Sequence, residues 1–213
     1  MIAALDRNGR KLLRQALKRA ATLILGRYRL NRIYRMTAVA VEQVMPPGID
    51  CRLLEDPPAS AADVDPELRE QFWYGGDDAH GYGLFLEGRL AAACWFWGCH
   101  RFTDPGLWVL GKDESFLIEV LTAPRYRGQG LAPLLIQYAS GEMFREKYER
   151  LFCSIWHNHS ASYRAFEKAG WTQVARVIEV RPFGVSPPIR FCLRRSPRGI
   201  RAGLADSRRA RPC

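Results

Sequence analysis

A short glycine-rich and basic stretch at residues 124–132, PRYRGQGLA, has the composition of an anion-binding loop. The apolar run 115–121 precedes it, and apolar residues at helical spacing follow it: Leu131, Leu134, Leu135, Tyr138 and Ala139. This order predicts a strand, a glycine turn and a helix whose first N–H groups lack intrahelical acceptors and attract negative charge. Gly128 and Gly130 would let the backbone approach a diphosphate closely. The spacing matches neither the P-loop nor G-x-G-x-x-G.

Acid–base chemistry could come from one carboxyl group and two imidazoles close to this loop. Glu119 is the only charge in its apolar strand, so desolvation should raise its pKa and suit it to act as a general base through a water. Alternatively, the Glu119 carboxylate hydrogen-bonds within the sheet or binds a substrate cation. His157 and His159 follow the next strand. Either imidazole could be the base instead, or each could be a surface or structural histidine.

Two motifs of the chain are similar to those of one known superfamily. The pattern Arg125-x-x-Gly128-x-Gly130, within the string IEVLTAPRYRGQGLA, resembles the acetyl-coenzyme A loop of the GCN5-related N-acetyltransferase (GNAT) superfamily. The string SYRAFEKAGW at 162–171 resembles that superfamily's late helix, often written S-x-x-x-[YF]-x-K-x-G-F. The resemblance implies acyl transfer from acetyl-coenzyme A (acetyl-CoA), without a metal, usually to a primary amine.

The resemblance also implies which residues hold the cofactor. Backbone N–H groups of 126–131, helped by Arg125 and Arg127, should bind the pyrophosphate. A backbone N–H near Leu121 or Thr122 should polarise the thioester carbonyl. The predicted cofactor-binding set is Leu121, Thr122, Arg125, Tyr126, Arg127, Gly128, Gln129, Gly130, Leu131, Ala132, Asn158, Ser162, Phe166 and Lys168.

The late motif departs from the superfamily pattern at two places. The Tyr that often protonates the leaving sulfur is replaced by Phe166, which has no proton to give. Tyr163, one turn earlier on the same face, could substitute; otherwise water supplies the proton or no acid is used. The loss is tolerable, because a thiol with a pKa of about 8.5 departs readily as thiolate. His159 stands at the usual Asn offset from Gly170, and Asn158 lies one residue early.

Residues 8–25 have the pattern of a basic amphipathic helix. One face is apolar: Leu12, Leu13, Ala16, Leu17, Ala20, Leu23 and Ile24. The other face is cationic: Arg10, Lys11, Arg14, Lys18 and Arg19. Through residues 8–35 the chain could contact an anionic membrane, with Tyr28 and Tyr34 near the headgroups. Alternatively, the helix packs on the domain or on a second subunit, or contacts nucleic acid.

The elements behind these residues predict an α/β (α+β) fold: a GNAT-like mixed, mostly antiparallel twisted sheet with helices on both faces. We divide the chain into a basic helical extension (1–36), a GNAT-like domain (37–195) and a basic disordered tail (196–213). Predicted strands lie at 37–44, 49–54, 83–86, 90–99, 115–122, 151–156, 172–179 and 188–193. Predicted helices lie at 66–73, 131–147 and 160–169.

Large aromatic residues mark the predicted strand 90–99. By alternation Trp95 and Trp97 share one face and Phe96 points to the other. We expect core packing for at least one of these faces, and the alternative is an aromatic wall for a bulky or sugar-like acceptor. In the architecture that the resemblance implies, the loop 74–78 commonly borders the acceptor site.

The net charge of +10 is located at the two ends of the chain. Residues 1–35 carry ten Arg and Lys and one acidic residue, and residues 193–213 carry seven Arg and one acidic residue. The body, 36–192, therefore carries −5, and a domain-wide nucleic-acid footprint is not expected. The six cysteines show no C-x-x-C pair and no Cys/His ligand spacing, which favours a reducing, cytoplasmic compartment without a zinc site.

Together these patterns predict a cytoplasmic N-acetyltransferase, membrane-peripheral if the helix 8–25 binds lipid. The first-ranked acceptor is the primary amine of a small molecule, an amino sugar or aminoglycoside-like compound especially. The alternatives are a protein or peptide amine, a lipid-linked sugar, and a catalytically degenerate acyl-CoA-binding module, which the loss of Tyr at Phe166 permits.

Overall fold

The computed structural model describes residues 27–38, 44–54, 64–104, 106–146, 148–181, 188–196 and 199–204. The strands are β1 (Arg27–Met36), β2 (Ile49–Leu53), β3 (Ala79–Leu86), β4 (Arg89–Trp97), β5 (Glu114–Thr122), β6 (Arg150–Trp156), β7 (Thr172–Arg181), β8 (Ile189–Ser196) and β9 (Gly199–Leu204). The helices are α1 (Pro66–Glu70), α2 (Leu131–Arg145) and α3 (Ser160–Lys168), with 3₁₀ turns at Gln71–Tyr74 and Pro124–Tyr126.

All described strands belong to one sheet, in the spatial order β2-β3-β4-β5-β6-β1-β7-β8-β9. Neighbours pair antiparallel, except β5 and β6, which run parallel. Helices α2 and α3 cover one face of the sheet, and α1 covers part of the other. The predicted mixed, mostly antiparallel sheet with helices on both faces is therefore confirmed.

Each face of the sheet has its own apolar core. On the α2/α3 face, helix α2 buries Leu135, Ile136 and Met143, which recur at the three- and four-residue spacing of one helical stripe. On the other face, which we call the α1 face, Leu68 of α1 packs against Trp95 and its neighbours. A third cluster lies on this second face under the loop 98–110. Apolar side chains therefore pack against both faces of the sheet.

Strand β1 corrects the predicted boundary at residue 36, because it lies inside the sheet between β6 and β7. Tyr34 is fully buried opposite Cys153, and its hydroxyl donates a hydrogen bond to Glu167 Oε1 at 2.9 Å. It therefore does not lie near membrane headgroups, contrary to the prediction. The four arginines of RYRLNRIYRM hid the strand from a composition-based interpretation, although half-buried Arg32 lies over the Tyr163 ring, 4.5 Å from its centroid.

The ends of the chain differ from prediction in two further ways. Thr37 and Ala38 are not in a strand, whereas the rest of the predicted strand, 39–43, lies outside the described residues. Strand β9 pairs with β8 from Ser196 opposite Gly199 to Phe191 opposite Leu204, so the prediction of disorder is wrong for 199–204. Backbone pairing in a hairpin does not require a continuous apolar run, and this segment has large apolar residues only at Ile200 and Leu204. Residues 205–213 and the predicted helix 8–25 lie outside the described residues.

A cleft opens in the sheet because the two parallel strands part. The pairing of β5 with β6 runs from Glu114 opposite Arg150 to Leu117 opposite Cys153. Beyond that point β5 continues along β4, and β6 continues along β1. A β-bulge at Ile118 adds twist where the separation begins. Within the described residues, no helix is both long and apolar enough to cross a bilayer.

Candidate active site

The glycine loop forms an open cradle at the start of α2. Gly128 and Gly130 have φ angles of 81° and 78°, a left-handed conformation that side chains rarely adopt. Apart from the adjacent residues of the chain, no described residue has an atom within 4 Å of where a Cβ would stand at either glycine. Gly130 is the N-cap of α2, and the first turn of that helix, described in full, contains no acidic residue. The helix N-terminus is therefore open to an anion.

A cleft of about 630 Å³ runs from this cradle between β5, α2 and α3. Most of the predicted cofactor-binding residues line it: Leu121, Thr122, Tyr126, Arg127, Gly128, Gly130, Leu131, Ala132, Ser162, Phe166 and Lys168. The sequence interpretation missed six lining residues: Val120, Pro133, Ile136, Ala161, Arg164 and Ala165. Of these, Arg164 could have been found, because it lies one helical turn before Lys168.

Three predicted cofactor-binding residues do not line this cleft. The Arg125 guanidinium lies over the ring of its neighbour Tyr126, 4.8 Å from the centroid. Asn158 lies in the turn before α3, where its carbonyl accepts a hydrogen bond from the Ser160 N–H at 3.0 Å. Gln129 lies between the two cradle glycines, but its side chain is not part of the cleft wall. For these three residues a cofactor role stays a prediction.

Basic side chains surround the cradle, and one of them is tied to the sheet. Arg127 Nε donates to the carbonyl oxygen of Thr122 at 2.9 Å, and Arg127 Nη2 pairs with Glu67 Oε2 of α1 at 2.5 Å. Across the cleft, Arg164 Nε donates to the carbonyl oxygen of Ser160 at 3.1 Å, and Lys168 follows on the same helix. The cleft is therefore positively charged at the end where the helix N-terminus points.

The register of β4 with β5 determines which backbone amides face the cleft. The Ala123 N–H donates to the carbonyl oxygen of Ala91 on β4 at 2.9 Å. Because successive residues of a strand point their backbone groups to opposite sides, the N–H groups of Val120 and Thr122 face away from β4, into the cleft. The Arg127 bond to the Thr122 carbonyl agrees with this direction. Of the two predicted thioester-polarising amides, Thr122 therefore faces the cleft, whereas Leu121 faces β4.

Glu119 lies in a smaller cavity of about 190 Å³ that shares Val120, Ser162 and Phe166 with the cleft. Burial raises the pKa of Glu119, as the sequence predicted. The Val120 N–H, the charge of His159 and the Tyr74 hydroxyl oppose this rise in its pKa. Glu119 is thus a desolvated carboxyl group near three polar groups, which belong to Val120, His159 and Tyr74.

The structure brings Glu119 and His159 together but separates the other two catalytic candidates from them. His159, the N-cap of α3, lines the same cavity as Glu119. His157 instead packs its ring against Tyr28, at 6.3 Å between centroids. Tyr163 lies under the Arg32 guanidinium and lines neither the cleft nor the cavity.

Phe166 and the aromatic residues of β4 are buried to different extents. Phe166 is buried and lines both the cleft and the Glu119 cavity, so an apolar ring stands at the position where the resemblance predicts a tyrosine. Trp95 and Phe96 are buried in the cores on opposite faces of the sheet, which confirms the predicted core packing. Trp97 is half-buried at the end of β4.

A twisted sheet with parted parallel strands and a glycine cradle at a helix N-terminus defines an α/β domain built to hold a phosphate-bearing ligand. The chain belongs to the acetyltransferase (GNAT) family, whose sequence model matches residues 49–171. Members of this family generally use acetyl-CoA. The resemblance predicted from the loop and late-helix motifs is thereby confirmed.

Solved structures of other proteins share this fold. The GCN5-related N-acetyltransferase from Sphaerobacter thermophilus is 14% identical, with a TM-score of 0.52, over 79% of this chain and 56% of that one. A GNAT-family acetyltransferase from Colwellia psychrerythraea is 20% identical, with a TM-score of 0.51, over 80% and 62% of the two chains. This chain thus spans about three fifths of the length of the structures it matches. A search of curated proteins found no match.

Proposed function

We propose that the protein transfers the acetyl group of acetyl-CoA to the primary amine of a small molecule by direct attack. The observation that carries the proposal is the Glu119 carboxyl, whose pKa is raised by burial and whose cavity adjoins the cradle cleft. A base at this place can take a proton from an amine that approaches a thioester held in the cleft.

The residues present fit coenzyme A as a ligand. The open N-terminus of α2 and the positive-φ glycines suit a diphosphate, and Arg127, Arg164 and Lys168 add positive charge. When bound, acetyl-CoA supplies an acetyl group already activated as a thioester. Among the described residues there is no group of three or more His, Cys, Asp or Glu placed to hold a metal ion.

Two groups of the chain would act directly on the reacting atoms. Glu119 Oε2 would accept the proton of the substrate ammonium, directly or through a water, since Oε1 already accepts the Val120 N–H at 3.1 Å. The cleft-facing N–H of Thr122 would donate to the thioester carbonyl oxygen. The Arg127 bond to the Thr122 carbonyl, at 2.9 Å, fixes the backbone beside that amide.

The leaving thiolate would depart without a tyrosine acid. Phe166 offers no proton, and Tyr163 lines neither the cleft nor the cavity. Burial and the bond to Glu167 raise the pKa of the nearby Tyr34 to about 12. Since a thiol has a pKa of about 8.5, departure as thiolate is favourable near neutral pH without such a donor.

We rank an amino sugar or similar small amine first among acceptors, with a protein or peptide amine or a lipid-linked sugar as alternatives. We also propose a cytoplasmic location, peripheral to membranes if residues 8–35 contact anionic lipid. Phe166 favours one further candidate, an acyl-CoA-binding module without catalysis.

A thiol-release assay with acetyl-CoA and a mixed panel of amines tests the proposal. Release of coenzyme A that depends on an amine, with a mass increase of one acetyl group on that amine, supports it. Calorimetric binding of acetyl-CoA without turnover on any amine would support the non-catalytic module instead. Repeating the assay with anionic vesicles tests the membrane-linked acceptor.

A further inference from the structure

Three aromatic side chains, Trp73, Tyr74 and Trp97, lie beside Glu119 on the α1 face, and we call them the aromatic shelf. The rings of Trp73 and Tyr74 lie 4.1 Å apart, and Trp97 meets Trp73 edge-on at 6.4 Å. The Tyr74 hydroxyl lies close enough to the Glu119 carboxyl to lower the pKa of that carboxyl against the effect of burial. The shelf is therefore continuous with the proposed base.

Hydrogen bonds connect the shelf to the backbone of the adjoining loop. Trp97 Nε1 donates to the Tyr74 carbonyl oxygen at 2.8 Å. Arg101 Nη2 donates to the Gly75 carbonyl oxygen at 2.8 Å, while its guanidinium lies 4.7 Å from the Trp97 ring centroid. Asp78 Oδ2 in turn accepts the Arg101 backbone N–H at 3.2 Å. The Trp97 ring and the backbone of residues 74–75 are thus held in place, so a ligand that binds the shelf orders few further groups there.

Trp156 lies on the other side of Glu119, at the end of β6. Phe152 packs into the cluster on the α1 face, so alternation along the strand places Trp156 on that face as well. Strand β5, which carries Glu119, lies between β4 and β6, and Glu119 is opposite Trp95 on β4, two residues before Trp97. Trp156 and Glu119 line the same cavity of about 190 Å³.

The two outer tryptophans have exposed side chains. Trp73 is 64% exposed and Trp156 is 45% exposed. Exposed aromatic rings on both sides of a desolvated carboxyl group form a recognition surface, because stacking on them removes apolar area from water. Of the described side chains that line the cavity, the acidic and basic ones are Glu119 and His159. The cavity therefore offers one carboxylate to one cationic nitrogen.

We propose that the acceptor is a monoamine that carries a six-membered ring with an apolar face, with the ring between Trp73 and Trp156 and the amine nitrogen at Glu119. The inference rests on the proposed function, since it uses Glu119 to mark the position of the amine. Either the C–H face of an amino sugar or the π face of an aromatic amine has the chemistry that stacks on tryptophan. Linear polyamines lack such a face and carry charges that the cavity does not match.

Matched pairs of acceptors test the role of the ring with the full-length protein. Glucosamine is compared with its open-chain amino alditol, and 2-phenylethylamine with hexylamine, while spermidine represents polyamines. In thiol-release kinetics we expect the better ring amine to exceed its open-chain partner in kcat/KM by about fivefold or more. The two pairs distinguish a sugar ring from an aromatic ring. Equal values within both pairs, or a preference for spermidine, would overturn the inference.

Substitutions of the two tryptophans test whether their side chains cause the preference for ring amines. Trp73→Ala and Trp156→Ala should each raise the KM of the ring amine about fivefold, with KM for acetyl-CoA unchanged, and Trp73→Phe should restore most of the loss. Phe191→Ala, which truncates another exposed aromatic ring (40% exposed) on β8, should change neither constant. A ring preference that persists in both tryptophan variants would contradict the subsite.

A binding measurement separates this inference from the proposed function. Tryptophan fluorescence of the coenzyme A-saturated protein is titrated with 2-phenylethylamine and glucosamine. Ring-dependent binding that weakens in Trp73→Ala, without acetyl transfer to any amine, would sustain the subsite and reject the proposed catalysis. Acetyl transfer without ring preference would reject the subsite alone, and absence of both binding and transfer would reject both.

Discussion

The Glu119 carboxylate accepts a hydrogen bond from the backbone N–H of Val120, the next residue of β5, at 3.1 Å. Val120 and Thr122 supply the two cleft-facing amides of this part of the strand, so the bond engages one of them and leaves Thr122 for another acceptor. It also holds the carboxyl group in one orientation beside Tyr74 and His159. The proposed base, Glu119, and the proposed carbonyl-binding amide, that of Thr122, therefore lie on the same short segment of β5.

Tyr74→Phe should shift the pH dependence of catalysis upward. The Tyr74 hydroxyl lowers the pKa of Glu119 against the effect of burial, so its removal raises that pKa further. Since only the ionised carboxylate can accept a proton, the acid limb of kcat/KM should move to higher pH. The control is Tyr148→Phe, which removes a hydroxyl that interacts with His80 at 3.3 Å. A limb that stays in place in Tyr74→Phe would contradict the described contact.

Gly130→Ala should weaken acetyl-CoA binding more than it destabilises the fold. At a φ of 78° an alanine is strained by about 1 kcal/mol, and its methyl group would stand in the open cradle. Gly88→Ala is a matched control, because Gly88 has a φ of 79° and equally open surroundings in the β3–β4 turn. Both variants should lose similar stability in denaturant melts, whereas calorimetry should show about tenfold weaker binding in Gly130→Ala only. Equal binding by both variants would remove the cradle from the account.

Glu67→Gln should strengthen acetyl-CoA binding by up to about threefold. The Glu67 carboxylate neutralises Arg127 at 2.5 Å, and the pair is half-exposed, so its net contribution is below about 1 kcal/mol. Removing the negative charge makes Arg127 available to a phosphate. Arg127→Gln should do the opposite, and its effect should diminish at high salt. Tighter binding in Arg127→Gln would show that Arg127 does not serve the cofactor.

Ile33→Ala should destabilise the protein by about 3 kcal/mol, because this fully buried side chain fills the core beside Phe116 and Phe152. The same truncation at Ile189, which is 39% exposed on β8, should reduce stability by less than about 1 kcal/mol. Chemical denaturation of both variants measures the difference. Similar small losses would contradict the position of β1 inside the sheet.

The part of the site that is formed by one continuous stretch of chain was predictable from the sequence, because its strand, glycine loop and helix are consecutive. The helical stripe of α2 and the offsets around Gly130 depend on local spacing alone, and so do the buried Glu119 and its raised pKa. The late helix was identified by its similarity to the family motif, and its termination just before Gly170, which has a φ of 89°, followed from local rules as well.

What depended on distant pairing could not be predicted. The insertion of β1 between β6 and β7 joins residues more than a hundred positions apart, and its arginines imitate a solvent-facing segment. Likewise, the contact of Tyr74 with Glu119 and the position of Tyr163 under Arg32 follow from packing across the sheet. The separation of His157 from the cavity has the same origin, since β1 supplies its neighbour Tyr28.

The most direct test of the account is kcat for acetyl transfer in Glu119→Gln. Burial raises the folded-state pKa of Glu119 above its unfolded value, so the stability that this carboxyl contributes is lost as pH rises through the folded pKa. Because glutamine stays neutral, the variant should be at least as stable as the parent at neutral pH, and lost activity cannot be ascribed to unfolding.

With the best amine of the panel, we predict that Glu119→Gln lowers kcat about a hundredfold or more, with calorimetric affinity for acetyl-CoA unchanged. Glu146→Gln, a substitution at the exposed C-terminal end of α2, should leave kcat unchanged. An undiminished kcat in Glu119→Gln would contradict the central claim that this carboxyl group is the base for amine attack.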